Sequence, residues 1–459
     1  MIDSPDLVAN TLGVAAFDSP LGELLDQHEQ SEHYVEEADR VLFDDTLYAA
    51  AARNCSPGKL PGFEPAGPRR KIFFDPSKTR AGIVTCGGLC PGLNDVIRGV
   101  TLELISRYGV ERVYGFCNGF QGFVPGARRA VIKLTTEVVS DINEHGGTIL
   151  GSSRGEQDPA VVVDCLERMG INLLFVIGGD GTIRAAKKIV REVARRGSRI
   201  AVIGIPKTID NDIMFIDQSF GFQTAFSEAT KSIRAAHVEA TGAPNGVGLV
   251  KLMGRHSGFI ACYASLAMSD VNFVLIPEVP FRLEGDSGLL AVLERRLKKW
   301  GHAVVVVAEG AGQNLMEGNG GSDGPGRTDA SGNRRLTDIG PWLRDRITGH
   351  FKSAGMELNL KYIDPSYEIR SVPANPYDSV YCVRLAHNAV HSAICGRTEA
   401  VIGRWRGRFV HVPVGLSIRQ RNTVDPHGDL WMSVLEATGQ PRMSGTVAVR
   451  LRHSALQSP

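Results

Sequence analysis

Residues 172–197, "NLLFVIGGDGTIRAAKKIVREVARRG", join a short aliphatic run to a Gly-Gly-Asp-Gly turn and then to a segment with Ile183, Ala186, Val190 and Val193 spaced by three and four. That pattern reads as a strand, a tight turn and an amphipathic helix. "AGIVTCGGLCPGLNDVIRGV" (81–100) repeats the grammar, with Ile97, Val100 and Leu104 on one helix face and Gly109 as the stop. Alternation of this kind implies a parallel sheet covered by helices. Further strands are expected at "RIAVIGIP" (199–206), "GVGLVKLMG" (246–254), "NFVLIPE" (272–278) and "HAVVVVAEG" (302–310), with helices over 225–239 and 288–300. One compact sheet rarely carries so many strands, so the expectation is two α/β domains.

Bulk features narrow the chemistry. The chain has 459 residues, 43% hydrophobic and 22% charged, which is ordinary globular composition. Lys plus Arg (51) balance Asp plus Glu (50) to a net charge of +1, too little to draw in nucleic acid or an anionic membrane. The apolar runs fall short of the roughly 18 to 20 residues a membrane helix needs. The first twenty residues show no basic-then-apolar leader, and the eight cysteines read as reduced thiols, so a cytoplasmic protein is expected. Cys86 and Cys90 lack a matching ligand pair, which discounts a metal site there. Residues 1–70 read as an arm that ends in the Pro- and Gly-dense "NCSPGKLPGFEPAGPRR" (54–70), and 310–335 as an insertion loop.

Three turns could carry chemistry. In "GGDGT" (178–182) glycine lets backbone N–H groups approach an anion, and the following helix offers about half a unit of positive charge. Asp180 in that turn is either a Mg²⁺ ligand facing substrate phosphates or a simple capping residue. The glycines of "GGLCPGLN" (87–94) could serve helix packing alone. "GIPKTIDNDI" (204–213) sets Lys207 and Thr208 beside Asp210 and Asp212. On extended backbone those two carboxylates would point the same way and repel without a cation near them. Should Asp180 hold a metal, Asp210 or Asp212 is left to act as a base, while Lys207 and Thr208 hold the transferring phosphoryl group. The other reading is a polar turn closed by its own Asx hydrogen bonds. His237 and His256 read as structural.

Taken in order, "GGLCPGLN", "GSSRG", "IGGDGT", "GIPKTIDND", "KLMGRHSG", "AEG" and "YIDPSYEIR" resemble the phosphofructokinases over about residues 71–420, and among them the plant and trypanosomatid ATP-dependent type. The resemblance implies two Rossmann-like three-layer α/β domains with mostly parallel sheets and an N-terminal extension. It implies a nucleotide domain over 71–222 with 369–420, a sugar-phosphate domain over 223–368, and a tail over 421–459. The implied reaction moves a phosphoryl group from ATP to the 1-hydroxyl of fructose 6-phosphate in glycolysis, with Mg²⁺; the alternative donor is pyrophosphate.

Carried over by position, Asp210 matches the catalytic base and Asp180 the Mg²⁺ ligand. Gly87, Arg154, Gly155, Gly179, Asp180, Gly181 and Thr182 match the donor-phosphate site, and Lys207 supplies positive charge to the transition state. Thr208, Ile209, Asp210, Met253, Gly254, Arg255, Glu309, Lys361, Tyr367, Glu368, Ile369 and Arg370 match contacts to the acceptor. A homo-oligomer, dimer or tetramer, is implied. Lys207 stands where the bacterial pattern has Gly, as in pyrophosphate-using relatives. Those relatives carry Asp where this chain has Gly181, and an Asp there would repel an α-phosphate, so ATP is favoured. At Gly246 the Arg that reaches the 6-phosphate across a bacterial subunit boundary is missing.

Overall fold

In this computed structural model, which describes residues 7–47, 51, 60–126, 131–316 and 335–443, every position of Leu173–Gly178 is buried. A strand covered on both faces needs such a continuous apolar run. Eleven strands form the two principal sheets among the described residues: β1 (Arg80–Thr85), β2 (Arg112–Phe116), β3 (Ile132–Leu134), β4 (Leu173–Gly178), β5 (Ala201–Pro206), β6 (Gly246–Leu252), β7 (Phe273–Leu275), β8 (His302–Ala308), β9 (Asn359–Ile363), β10 (Ala400–Trp405) and β11 (Arg408–Pro413). The helices that matter most here are α1 (Leu93–Leu102), α2 (Asp180–Arg196), α3 (Phe222–Thr241) and α4 (Pro376–Ile394).

The chain divides into two compact units. One holds the described residues up to Glu228 together with Ser366–Asn422, and the other runs from Ala229, with Leu336–Pro365 and the residues from Thr423 onward. The first contains a seven-stranded sheet in the order β11-β10-β5-β4-β1-β2-β3. Its five middle strands are parallel, and β3 and β11 run antiparallel at the edges. Period-two alternation divides β4 between two cores. Leu173, Phe175 and Ile177 face Val96, Ile97 and Val100 of α1 and Leu385, Ala389 and Val390 of α4. Leu174 and Val176 face Ala186, Ile189, Val190 and Val193 of α2. Each fully buried aliphatic contributes about 1.5–3 kcal/mol, so the three layers hold as one body. Helix α2 stops at Gly197 in the left-handed region, φ +67°.

From β1 the chain moves outward to β2 and β3 and then returns on the other side of β1 to β4. The loops that leave β1 and β4 therefore part at the carboxyl ends of adjacent strands, where open α/β sheets bind ligands. The loop after β5 adjoins them.

The second unit has an all-parallel sheet in the order β7-β8-β6-β9. Val247, Leu249, Val305 and Val307 pack against Leu289, Leu293 and Leu297 of one helix and Ile339, Leu343 and Ile347 of another. Gly246 opens β6 where α3 passes so close that a Cβ would stand 2.0 Å from the Ala240 carbonyl oxygen. No side chain fits there, so this chain's backbone itself excludes an Arg.

The observed boundaries lie elsewhere than the sequence-based ones. Residues 223–228 and 366–368 belong to the first unit. The segment from Thr423 joins the second, where Trp431 and Val434 bury one face of the helix Asp429–Thr438. Residues 52–59, within the Pro- and Gly-dense end of the expected arm, and 317–334, most of the expected insertion loop, lie outside the described residues.

The arm is not a free extension. Asn10–Thr11 pairs with Arg397–Thr398, Phe17–Asp18 with Lys71–Ile72, and Val41–Leu42 with Gly62–Phe63. Beneath these short strands Glu64 accepts hydrogen bonds from Arg69 Nη2 (2.6 Å) and from Arg397 Nη2 (2.6 Å) and Nε (2.9 Å). Glu37 binds the same two guanidinium groups. His411 faces Glu64 at 3.2 Å through Nδ1 and Ser392 at 2.7 Å through Nε2. Burial lowers the His411 pKa while the Glu64 carboxylate opposes that shift, and the Ser392 hydroxyl donates to Asn388 O at 2.6 Å. Burial pushes the Glu64 carboxyl up, yet the bonds from His411 and Arg397 outweigh it and hold the group at about 2. Because the folded value lies below the unfolded one, this stabilisation is complete above about 4.5 and is lost as pH falls towards about 2. Glu64→Gln leaves two buried guanidinium groups short of charge; thermal unfolding should show a loss of roughly 3–5 kcal/mol, and limited proteolysis should cut the arm first.

Candidate active site

The three turns singled out in the sequence follow β1, β4 and β5 and are held by bonds to their neighbours. Gly87, at φ +87°, donates its N–H to Ser153 O (3.0 Å), and Ser152 Oγ donates back to Gly87 O (2.6 Å). This fixes the loop after β1 against the "GSSRG" segment. Lys207 N–H bonds to Gly178 O at 3.0 Å, which fixes the loop after β5 against β4.

Lys207 is 7% exposed, and its Nζ donates to Gly88 O at 2.7 Å. No carboxylate among the described residues forms an ion pair with it. Burial lowers its pKa, and the nearby charges of Arg154 and Arg370 lower it further. The two arginines close over the same turn: a Cβ on Gly88 would stand 3.9 Å from Arg370 Nη1 and 4.0 Å from Arg154 Nη2. Three cations thus converge on a glycine turn, an arrangement that costs free energy unless an anion joins it. Arg370 also stacks on Tyr367, 4.9 Å from the ring centroid. Tyr367 and Glu368 are exposed, whereas Ile369 is 1% exposed in the core, so its side chain is packing.

The acidic turn resolves the question of its two carboxylates. Asn211 takes φ +56°, so the backbone turns between Asp210 and Asp212 rather than running extended. Asp212 is 7% exposed and engaged twice: Thr208 Oγ1 donates to Oδ1 (2.6 Å) and Arg421 Nη1 to Oδ2 (2.5 Å). Asp210 remains half-buried, its N–H bonded to Thr208 Oγ1 at 3.3 Å. Asn211 Oδ1 accepts from Ser219 N–H (2.8 Å), and Ser219 Oγ holds Thr208 O, so the turn is clamped from below. Asp180 begins α2, where Arg184 Nε lies 3.2 Å and Arg421 Nη2 3.4 Å from its carboxylate. Arg421 thus links Asp180 with Asp212. Sequence reading placed this residue at the start of the tail, and only the fold reveals its contacts.

In the second unit the turn after β6 is stitched to that after β8. Glu309 N–H bonds to Leu252 O (2.9 Å) and Gly310 N–H to Gly254 O (3.1 Å), which sets Met253, Gly254 and Arg255 beside Glu309. Lys361 is exposed on β9. Lys251, on the adjacent strand β6, is bound by Asp338 (2.9 Å) and Asp364 (2.7 Å) and serves structure. Burial holds the Cys86 thiol up at about 12, and the Cys90 thiol, also raised by burial, bonds to Phe220 O, unlike metal-binding thiolates.

Residues 80–393 match the family model described as phosphofructokinase. The chain belongs to the phosphofructokinase family. An "ATP-dependent 6-phosphofructokinase" of Amycolatopsis methanolica is 58% identical over 451 residues, covering 98% of each chain. "ATP-dependent 6-phosphofructokinase 7" of Arabidopsis thaliana is 51% identical over 383 residues, 83% of this chain and 78% of the relative. Among solved structures, a pyrophosphate-dependent phosphofructokinase from Nitrosospira multiformis superposes with a TM-score of 0.64 at 20% identity, over 80% of this chain and 93% of that one, a likeness of fold. The α/β architecture with mostly parallel sheets is thereby the family's own.

A buried ammonium without a carboxylate is a cost to the resting fold. Unfolded lysine keeps its proton to higher pH than Lys207 does, so the fold gains stability as pH rises through the depressed value towards 10.5. Lys207→Met should therefore raise Tm, by roughly 2–4 °C, while KM for the phosphoryl donor rises on the order of 10- to 100-fold. Calorimetry together with donor titration checks both halves.

Proposed function

We propose that this chain moves the terminal phosphoryl group of ATP onto the 1-hydroxyl of fructose 6-phosphate, with its own residues in the following roles. The carrying observation is the buried, carboxylate-free Lys207 under Arg154 and Arg370 at the carboxyl ends of β1, β4 and β5. Phosphoryl transfer asks for positive charge where negative charge gathers, held in place beforehand. Gly87, Gly155, Gly179, Gly181 and Thr182 give the donor phosphates access to backbone N–H groups, and Arg154 and Lys207 carry the charge. Asp210 takes the proton of the attacking hydroxyl late, as the bond to phosphorus forms. Asp212, already committed to Thr208 and Arg421, holds the turn's shape.

Thr208 and Ile209 orient the acceptor, and Met253, Gly254, Arg255 and Glu309 contact its sugar. Lys361 is proposed for its 6-phosphate, because Gly246 offers no room for an Arg. Arg370, beside Arg154, is proposed to meet a phosphate above Gly88. The donor set also fits Mg²⁺: Asp180 and Asp212 already share one cation, and Mg²⁺ takes one or two carboxylates plus substrate phosphates. When bound it would neutralise charge on the donor phosphates. Assembly as a homo-oligomer, dimer or tetramer, in the cytoplasm completes the reading; no helix among the described residues is long and apolar enough to cross a membrane.

Initial rates with fructose 6-phosphate should be supported by ATP and not by pyrophosphate, and Gly181→Asp should weaken ATP use by placing a carboxylate against the α-phosphate. Turnover on pyrophosphate alone would overturn the donor assignment. Asp210→Ser should cut kcat by about 10²–10⁴ while fructose 6-phosphate still binds, as equilibrium titration would read.

A further inference from the structure

The cation that joins Asp180 to Asp212 comes from a segment 209 residues beyond the acidic turn. Its backbone is docked independently of that side chain. Ile213 and Arg421 form an antiparallel bridge, Asn422 N–H bonds to Asp212 O at 2.9 Å, and Arg184 Nη2 bonds to Ile418 O at 2.7 Å. This strap, residues 418–422, is thus fixed at Ile418 and at Arg421–Asn422, and the Arg421 side chain reaches both carboxylates from its anchored end. One nitrogen meets Asp212 at 2.5 Å and the other Asp180 at 3.4 Å. The longer contact is the weaker one, and Asp180 has a second partner in Arg184 at 3.2 Å. The Arg421 side chain is 30% exposed, so solvent and ions reach the pair.

From this geometry we infer that Arg421 is a positioning residue that stands in for the divalent cation: it neutralises Asp180 and Asp212 in the resting enzyme and yields Asp180 when the metal arrives. The inference rests on the proposed assignment of Asp180 as a metal ligand. Two carboxylates facing one space without a cation repel each other, and a guanidinium with two parallel donors can bridge them. Because its bond to Asp212 is short and its bond to Asp180 long, displacement opens the Asp180 side and leaves Asp212 held. The metal then meets a carboxylate whose position has been kept, and the clamp on the Thr208–Asp212 turn persists through the exchange. A metal that enters must compete with Arg421, so its affinity is lower than the two acids alone would give. This favours cations that arrive with a phosphate-bearing partner over free ions.

The test measures Mn²⁺ binding to the full-length enzyme without nucleotide, by loss of the free-ion paramagnetic resonance signal and by water-proton relaxation. Arg421→Met should bind Mn²⁺ more tightly than the unaltered enzyme, on the order of twofold to fivefold as expected for removal of an exposed competing pair. Arg421→Lys should fall between them. The gain should vanish in Arg421→Met combined with Asp180→Asn. A residue that served structure alone would weaken binding when removed, so unchanged or weaker affinity in a variant of normal thermal stability overturns the inference. A gain that survives Asp180→Asn overturns it as well, because the competition would then lie elsewhere. Asp180→Asn by itself reports separately on the metal assignment: Mn²⁺ affinity equal to that of the unaltered enzyme would refute the assignment and the inference with it.

Discussion

The buried ammonium of Lys207 constrains everything around it. Removing an ion from water costs several kcal/mol even after relaxation, and here the group keeps a single carbonyl partner while two guanidinium groups add to the cost. Such a cluster survives only because the sheet beneath it is strongly over-determined, with β1, β4 and β5 buried on both faces. The second consequence is chemical. Positive charge held in a poorly solvated place has little reorganisation left to make when a phosphate arrives. On the proposed roles, what destabilises the resting fold is what readies it for transfer.

Strap and turn show how the acids are managed beside these cations. A carboxylate two residues from another could spoil a base by repelling it or by sharing its proton. The left-handed Asn211 separates the backbones of the pair, and Thr208 with Arg421 absorbs the charge of Asp212. The proposed base, Asp210, is thereby spared a bare anion next to it on the turn. The division of labour depends on backbone shape as much as on the residues present, which explains why an extended reading of "TIDND" left the two acids equivalent.

Much of this was legible in the sequence where contacts are local. A six-residue apolar run followed by a glycine turn and a 3.6-period segment determines a strand, a loop and a helix almost on its own, and β1, β4, β5, β6 and β8 appear where the pattern puts them. Lys207, Asp180 and Asp210 could be singled out because each lies within a few residues of its turn. The arm and the strap escaped because their bonds span the chain: Glu64 meets Arg397 at a separation of 333 residues and Arg421 meets Asp180 at 241. A charged residue in a Pro- and Gly-rich stretch looks solvated until the fold shows what it is buried against. The domain boundaries slipped for a similar reason, since α3 continues without interruption from one unit into the other.

The glycines after β1 illustrate how geometry decides between two readings that composition leaves level. If they served helix packing alone, an added Cβ would strike a helix. At Gly87 it would instead stand 3.2 Å from Lys207 Nζ, and at Gly88 it would approach the guanidinium groups of Arg370 and Arg154. The space that these residues leave empty is bounded by cations, and it would be wasted on anything apolar. Gly92, a few residues on, does the opposite: a Cβ there would press within 2.7 Å of Cys382 Sγ on α4. Within one short loop, then, the first glycines make room for charge and the last makes room for a helix, and the change of role falls where the chain leaves the sheet's carboxyl edge to begin α1.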